Sequence, residues 1–191
     1  MTISNQDSTI SLPLPAMASA EAPAPSEIEN EVIALFDEFE SRLSVYVLSF
    51  GLTVHDAEDI VQETFLSLFR HLQLGRSRRN LRGWVFRVGH NLALKRRSAN
   101  QSHGSSGDCD NIATVYSDPR PGVEEQIAFG QRQKRLLAVL EALPEQDQHC
   151  LSLRAEGLKY REIAEILGIS LGAVSMSLTR SLARLTRSEG R

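Results

Sequence analysis

The stretch Tyr160–Leu178 admits very few folds. Ile163, Ile166 and Leu167 give one short helix an apolar face, and Val174, Leu178, Leu182 and Leu185 give another to the helix that follows. Between them Gly168 supplies the positive φ that a sharp exit requires, and Ser170 caps the next helix. Ala164 is small where two steeply crossing helices approach each other. The spacing predicts a helix-turn-helix whose second helix turns Ala173, Ser175, Met176, Ser177, Thr179, Arg180, Ala183, Arg184 and Arg187 outward. A face of small polar residues and arginines suits a major groove, with arginine serving guanine edges or phosphates. An ordinary helical hairpin would share the apolar stripe. Here the small residue, the glycine, the cap and the stripe all fall in register.

The rest of the chain reads as helix and linker. Residues 1–26 are rich in Ser, Ala, Pro and Thr, with Pro13, Pro15, Pro23 and Pro25, and are expected to form a disordered tail. Val32, Leu35, Phe36, Phe39, Leu43 and Tyr46 recur at helical spacing from about Glu27 to near Gly51. A second helix is expected over Asp56–Leu72, with Ala57, Ile60, Val61, Phe65, Leu68, Phe69 and Leu72 inward. Its first-turn acids Asp56, Glu58 and Asp59 suit the helix dipole. After the loop Leu74–Asn80, Asn80 is expected to cap a third helix that places Leu81, Trp84, Val85, Val88 and Leu92 inward and frays by about Ala99.

Residues 100–122 hold Gly104, Gly107, Pro119 and Pro121 without a sustained apolar period, and read as a linker. Helices are then expected over about Val123–Leu143, ended by Pro144, and about Glu145–Glu156. Nothing alternates with period two. The expected fold is all-α: two small helical domains, over 27–99 and 123–188, joined by a flexible linker, the second carrying the helix-turn-helix.

Charge is segregated along this plan. The chain has a net charge of −3, but residues 1–30 carry −4 and residues 31–74 carry −6. Residues 75–98 carry +8, from Arg76, Arg78, Arg79, Arg82, Arg87, Lys95, Arg96 and Arg97 with no acid. Residues 99–131 return to −4 and residues 132–191 carry +3. A dense basic block is the footprint expected of a phosphate partner, and the acidic block before it suggests a second partner surface.

Other classes of function fit poorly. Cys109 and Cys150 have neither metal-ligand spacing nor a disulfide framework, which fits a reducing cytoplasm. Cys150 reads as a small core residue. The five histidines do not pair at i, i+4, and no nucleophile–base set or phosphate-cradling glycine loop is present, so neither enzyme chemistry nor a cofactor or metal is expected. No run approaches the roughly 18 apolar residues of a membrane span, and no Lys or Arg precedes Arg42 as a secretory signal would require. A cytoplasmic protein without membrane insertion is expected.

Two stretches carry a specific resemblance. Asp56-Ala-Glu-Asp-Ile-Val-Gln-Glu-Thr-Phe65, continued by Leu81-Arg-Gly-Trp-Val-Phe-Arg-Val-Gly-His-Asn91 and Lys95-Arg96-Arg97, resembles region two of bacterial RNA polymerase sigma factors of the extracytoplasmic-function (group IV) type. Leu143-Pro-Glu-Gln through Leu185 resembles region four of the same family, in the family's usual order and separation. The resemblance implies a subunit that binds core RNA polymerase, through its β′ clamp helices and β flap, and directs it to promoter DNA. It implies polymerase contacts at Asp56, Asp59, Gln62 and Glu63. It implies minus-ten contacts at Arg76, Arg78, Arg79 and Asn80, in a loop that captures an unstacked base, and at Arg87, His90, Asn91, Lys95, Arg96 and Arg97 on the solvent side or flank of the third helix. Minus-thirty-five contacts would come from Ser170, Ala173, Ser175, Met176, Ser177, Thr179, Arg180 and Arg184.

Ser175 and Ser177 stand where many members of the family carry Lys or Arg, leaving Arg180 and Arg184 as the main cations. Trp84 resembles a base-stacking wedge, although its inward spacing favours the core. The linker is either a stand-in for nucleic acid inside the polymerase or a spacer. The family also implies an anti-sigma protein as a partner. A self-sufficient DNA-binding regulator is the alternative reading, and it leaves the −6 to +8 succession unexplained.

Overall fold

The computed structural model describes residues 26–102 and 133–189, so the expected tail up to residue 25, most of the expected linker with Cys109, and residues 123–132 of the helix expected over about Val123–Leu143 lie outside the described residues. Every described element is a helix: α1 (Glu27–Leu48), α2 (Val54–Gln73), α3 (Leu81–Ser102), α4 (133–141), α5 (Glu145–Ala155), α6 (Tyr160–Leu167) and α7 (Leu171–Glu189).

Helices α1–α3 form the first module. α1 starts at a reciprocal cap, Glu29 N–H donating to Ser26 Oγ while Ser26 N–H donates to the Glu29 carboxylate. α2 is capped by Thr53, whose hydroxyl accepts from Asp56 N–H at 3.1 Å. Phe39, Leu43, Tyr46 and Val47 of α1 pack on Ile60, Phe65 and Leu68 of α2 and on Val85 and Phe86 of α3, all buried. The contacts among its Phe and Tyr rings are edge-on, with Phe36–Phe65 centroids 5.0 Å apart.

α3 departs from expectation in two ways. It continues to Ser102 instead of fraying by Ala99, because Arg96 and Asn100 on its last turns bond to the Asp56 carboxylate. Its buried line is Gly83, Val85, Phe86, Gly89, His90 and Ala93, with Leu81, Trp84, Val88 and Leu92 half-buried beside it. Gly89 faces α1 on this line: a Cβ there would stand 2.7 Å from Leu43 Cδ1, so the two helices approach closely and a larger residue would have to displace the leucine tip.

The second module packs α5, α6 and α7 around Cys150, Leu153, Leu158, Ile163, Val174 and Leu178. Gly168 takes φ 66°, Ser170 Oγ accepts from Ala173 N–H at 3.1 Å, and α6 and α7 turn through 107°. The buried stripe of α7 runs through Val174, Ser177, Leu178 and Ser181, while Leu182 is 53% exposed. Successive steps of four rotate about 40° each, so Leu182 lies about 80° from Val174, and Ser181 takes the inward place.

Candidate functional site

On α2 the polar face divides in two. Asp56, expected as a polymerase contact, is buried at 8% exposure, and Arg96, expected at DNA, donates to it at 2.6 Å and reaches Asp59 at 3.4 Å. Burial pushes the Asp56 carboxyl up, but bonds from Thr53, Asn100 and Arg96 outweigh this and hold it below its ordinary value. Asp56 and Arg96 therefore form a clasp between α2 and α3 and leave the exposed candidate sets. Gln62 and Glu63 remain exposed with Asp59 half-exposed beside them. Leu66, one turn on, is 58% exposed. A leucine outside the apolar stripe, at i+4 from Gln62 and i+3 from Glu63, was the available signal for it.

The loop from residue 74 to 80 is exposed throughout. His71 Nε2 lies 3.0 Å from the Ser77 carbonyl oxygen and its ring stands 4.9 Å from that of half-buried Trp84, tying the loop to α2 and α3. Asn80, at φ 56°, caps α3 by accepting from Gly83 N–H at 3.1 Å. The cap needs glycine at position 83, where a Cβ would lie 2.3 Å from Asn80 Nδ2.

The cations of the basic block are partly engaged. Arg78 bonds Glu31 at 3.0 Å, Arg82 pairs with Glu38 at 3.5 Å, Arg87 pairs with Glu165 at 2.7 Å, and Arg97 pairs with Glu145. Among the described residues Arg76, Arg79 and Lys95 make no ion pair. Asn91 is exposed. His90 is not on the solvent side: it is 5% exposed and its Nδ1 lies 2.8 Å from Tyr46 Oη. Burial, and then the nearby His149, pull its pKa down to about 4.

Ser170, which caps α7, and Ser175, Met176 and Thr179 on it are exposed, and Ala173 and Arg184 are half-buried. One expected contact is corrected, and a second is engaged within the module. Ser177 is buried against α5, within 3.5 Å of Gln146 Nε2. Arg180 forks onto the buried Asp147 at 2.8 and 2.7 Å, so its guanidinium is committed within the module. These bonds hold the Asp147 carboxyl below its usual range against the effect of burial.

Among the described residues no group of three or more His, Cys, Asp or Glu could hold a metal ion. None of their helices is by itself long and apolar enough to cross a membrane; α6 and α7 pass only as a bent pair, which is the helix-turn-helix.

Sequence profiles of sigma-70 region 2 and sigma-70 region 4 match residues 35–103 and 133–185. The chain is 35% identical over 148 residues to the ECF RNA polymerase sigma factor SigE of Mycolicibacterium smegmatis, covering 74% of this chain and 55% of that protein. It is 32% identical over 145 residues to the RNA polymerase sigma factor CnrH of Cupriavidus metallidurans, covering 72% and 75%. It thus spans little more than half of SigE and three quarters of CnrH. In fold it resembles CnrH solved with the cytosolic domain of CnrY (TM-score 0.52, 24% identity, 83% of this chain and 86% of that one). It also resembles the sigma factor RpoE of Bartonella quintana solved with the anti-sigma factor NepR (TM-score 0.57, 20% identity, 84% and 98%). With both sigma-70 regions matched in order on an all-helical frame, the chain belongs to the ECF-type RNA polymerase sigma factors.

Proposed function

We propose that the chain binds core RNA polymerase through the exposed edge of α2 and holds promoter DNA with its basic loop, the outer face of α3 and the outer face of α7. Asp59, Gln62 and Glu63 offer acids and an amide, and Leu66 adds an apolar contact, a mixture suited to a cationic helical surface on a protein partner. Arg76, Arg79 and Asn80 line the loop for an unstacked minus-ten base, and Arg87, Asn91, Lys95 and Arg97 lie along α3 for the strand backbone. Ser170, Ala173, Ser175, Met176, Thr179 and Arg184 remain for the minus-thirty-five duplex. With Arg180 committed to Asp147, that surface is short of cations, so upstream recognition depends on docking to polymerase.

The observation that carries this reading is the separation of two unlike exposed surfaces on one three-helix module. The acidic edge of α2 keeps Gln62, Glu63 and Leu66 exposed, while the loop and α3 keep Arg76, Arg79 and Lys95 unpaired among the described residues. By likeness to CnrH and RpoE, each solved with a bound protein, we infer an anti-sigma partner for this chain as well. Run-off transcription with purified core polymerase tests the proposal. New start sites on addition of the protein are expected; unchanged starts together with an operator footprint by the isolated protein would favour a self-sufficient regulator.

A further inference from the structure

The loop between α2 and α3 starts on a glycine cap. Gly75 takes φ 64°, its N–H donates to the Leu72 carbonyl at 2.9 Å, and Arg76 N–H donates to the His71 carbonyl at 3.3 Å. These two bonds close the end of α2 by backbone alone. The second half of the loop is held differently. His71 Nε2 stands 3.0 Å from the Ser77 carbonyl oxygen, which can only accept, so this ring nitrogen carries the proton and donates. Ser77 Oγ in turn accepts from Arg79 N–H at 3.2 Å, while Arg78 Nε is drawn aside to Glu31 at 3.0 Å. The His71 ring is seated against half-buried Trp84 of α3, with centroids 4.9 Å apart and planes tilted by 47°. Through His71, Ser77 and Arg79 are fastened to α2 and α3 at once.

The loop's cations would attract a phosphate backbone in many loop shapes, because that attraction is not tied to one geometry. Choice among bases is more demanding. Donors and flat surfaces must already stand in place when an unstacked base arrives, or the cost of ordering them is drawn from binding. The carbonyl pinned by His71 lies between Arg76 and Arg79, loop cations without an ion pair among the described residues, and just ahead of Asn80.

We propose that His71 is a positioning residue for base choice: its bond to the Ser77 carbonyl holds residues 77–80 in the shape that receives the unstacked minus-ten base. The proposal rests on the assignment of this loop to promoter DNA. It separates two properties of the loop. Arg76 and Arg79 give a general grip on the strand, and the backbone pinned at Ser77 gives discrimination among bases. Loss of the pin erodes discrimination and spares grip, which a general loss of folding would not do.

The test uses holoenzyme, the full chain at saturating core polymerase, with a pool of short single strands whose centre is randomised. Retained strands are sequenced against those kept by core polymerase alone, and anisotropy of a fluorescein-labelled oligo-dT strand reads general grip. Wild-type holoenzyme is expected to favour one base at a position where Arg76→Ala with Arg79→Ala weakens the preference. His71→Phe keeps a ring against Trp84 but has no donor. It is expected to lower the preference at that position about ten-fold, with oligo-dT binding held within about two-fold. His71→Gln, whose amide N–H reaches as far as Nε2, is expected to restore the preference.

A preference that His71→Phe leaves intact, or that His71→Gln does not restore, would overturn the proposal. So would an equal fall at every position and in oligo-dT binding, the mark of a merely structural residue. If wild-type holoenzyme favours no base beyond core polymerase, or the arginine variant changes neither preference nor grip, the assignment of the loop to DNA fails and the proposal with it. Should His71→Phe not fold by circular dichroism, His71→Ala is held to the same comparison.

Discussion

The Asp147 carboxylate is almost wholly removed from water, and the cost of its burial is offset by the two bonds from Arg180. Arg180 is itself half-exposed, so the pair is worth less than a fully buried one. Replacing Asp147 with Ala is expected to lower stability by about 1–3 kcal/mol in urea unfolding. Arg180→Ala is expected to destabilise in the same direction, and the double variant little more than Asp147→Ala alone. An additive double variant would show that the two side chains act separately.

The histidine pair gives a second residue-scale prediction. His90 faces Tyr46, Phe50 and His149, while His149 faces the same two rings with Glu145 and Arg97 nearby. Burial lowers both pKa values, so the folded chain binds fewer protons than the unfolded one. The contribution of His90 is therefore full above about pH 6.5 and is lost as pH falls toward about 4, and His149 adds a loss of the same sign. The depressed carboxyls Asp56, Glu145 and Asp147 add their losses mainly lower in the acid range. His149→Phe keeps a ring against Phe50 and is expected to flatten the fall in melting temperature between pH 6.5 and 5. An unchanged slope would count against the buried pair.

At the scale of elements, α7 supplies the sharpest contrast between pattern and packing. Leu182 continues the row Val174, Leu178 by sequence but stands exposed, and Ser181 is the residue inside. Leu182→Ser is expected to change stability by less than about 0.5 kcal/mol. Ser181→Leu is expected to cost roughly 1–3 kcal/mol by overpacking, and the reverse order in thermal melts would place the stripe through Leu182 after all. The helices themselves were legible: Asn80, Gly168, Ser170 and Pro144 are local signals that the backbone obeys, although α2 starts at Val54, two residues ahead of the expected Asp56.

What was not legible depends on phase and on partners far along the chain. His90 lies inward, bonded to Tyr46 forty-four residues away, and Ser177 lies inward because the stripe drifts. Asp56 read as an open acid because Arg96, its partner, lies forty residues on. Leu66 was visible only as a leucine out of place. The contact between modules has no local signature: Arg87 with Glu165 and Phe50 with His149 are far apart in sequence, and each alone reads as a solvated charge or a core ring.

For the whole molecule, the proposed function requires two unlike surfaces to be kept apart on one small frame. The Asp56–Arg96 clasp fixes α3 against α2, so the acidic edge and the basic face are set at a constant relation. Charge on the α2 edge should then govern seating on the polymerase, and charge on the loop and α3 should govern the DNA steps that follow. The most direct measurement is equilibrium titration of fluorescently labelled protein with core RNA polymerase. Asp59→Lys with Glu63→Lys is expected to weaken association at least about ten-fold, or 1.4 kcal/mol, while Arg76→Glu with Arg79→Glu leaves it unchanged. Association undisturbed by the α2 reversals, or lost through the loop reversals, would contradict the account.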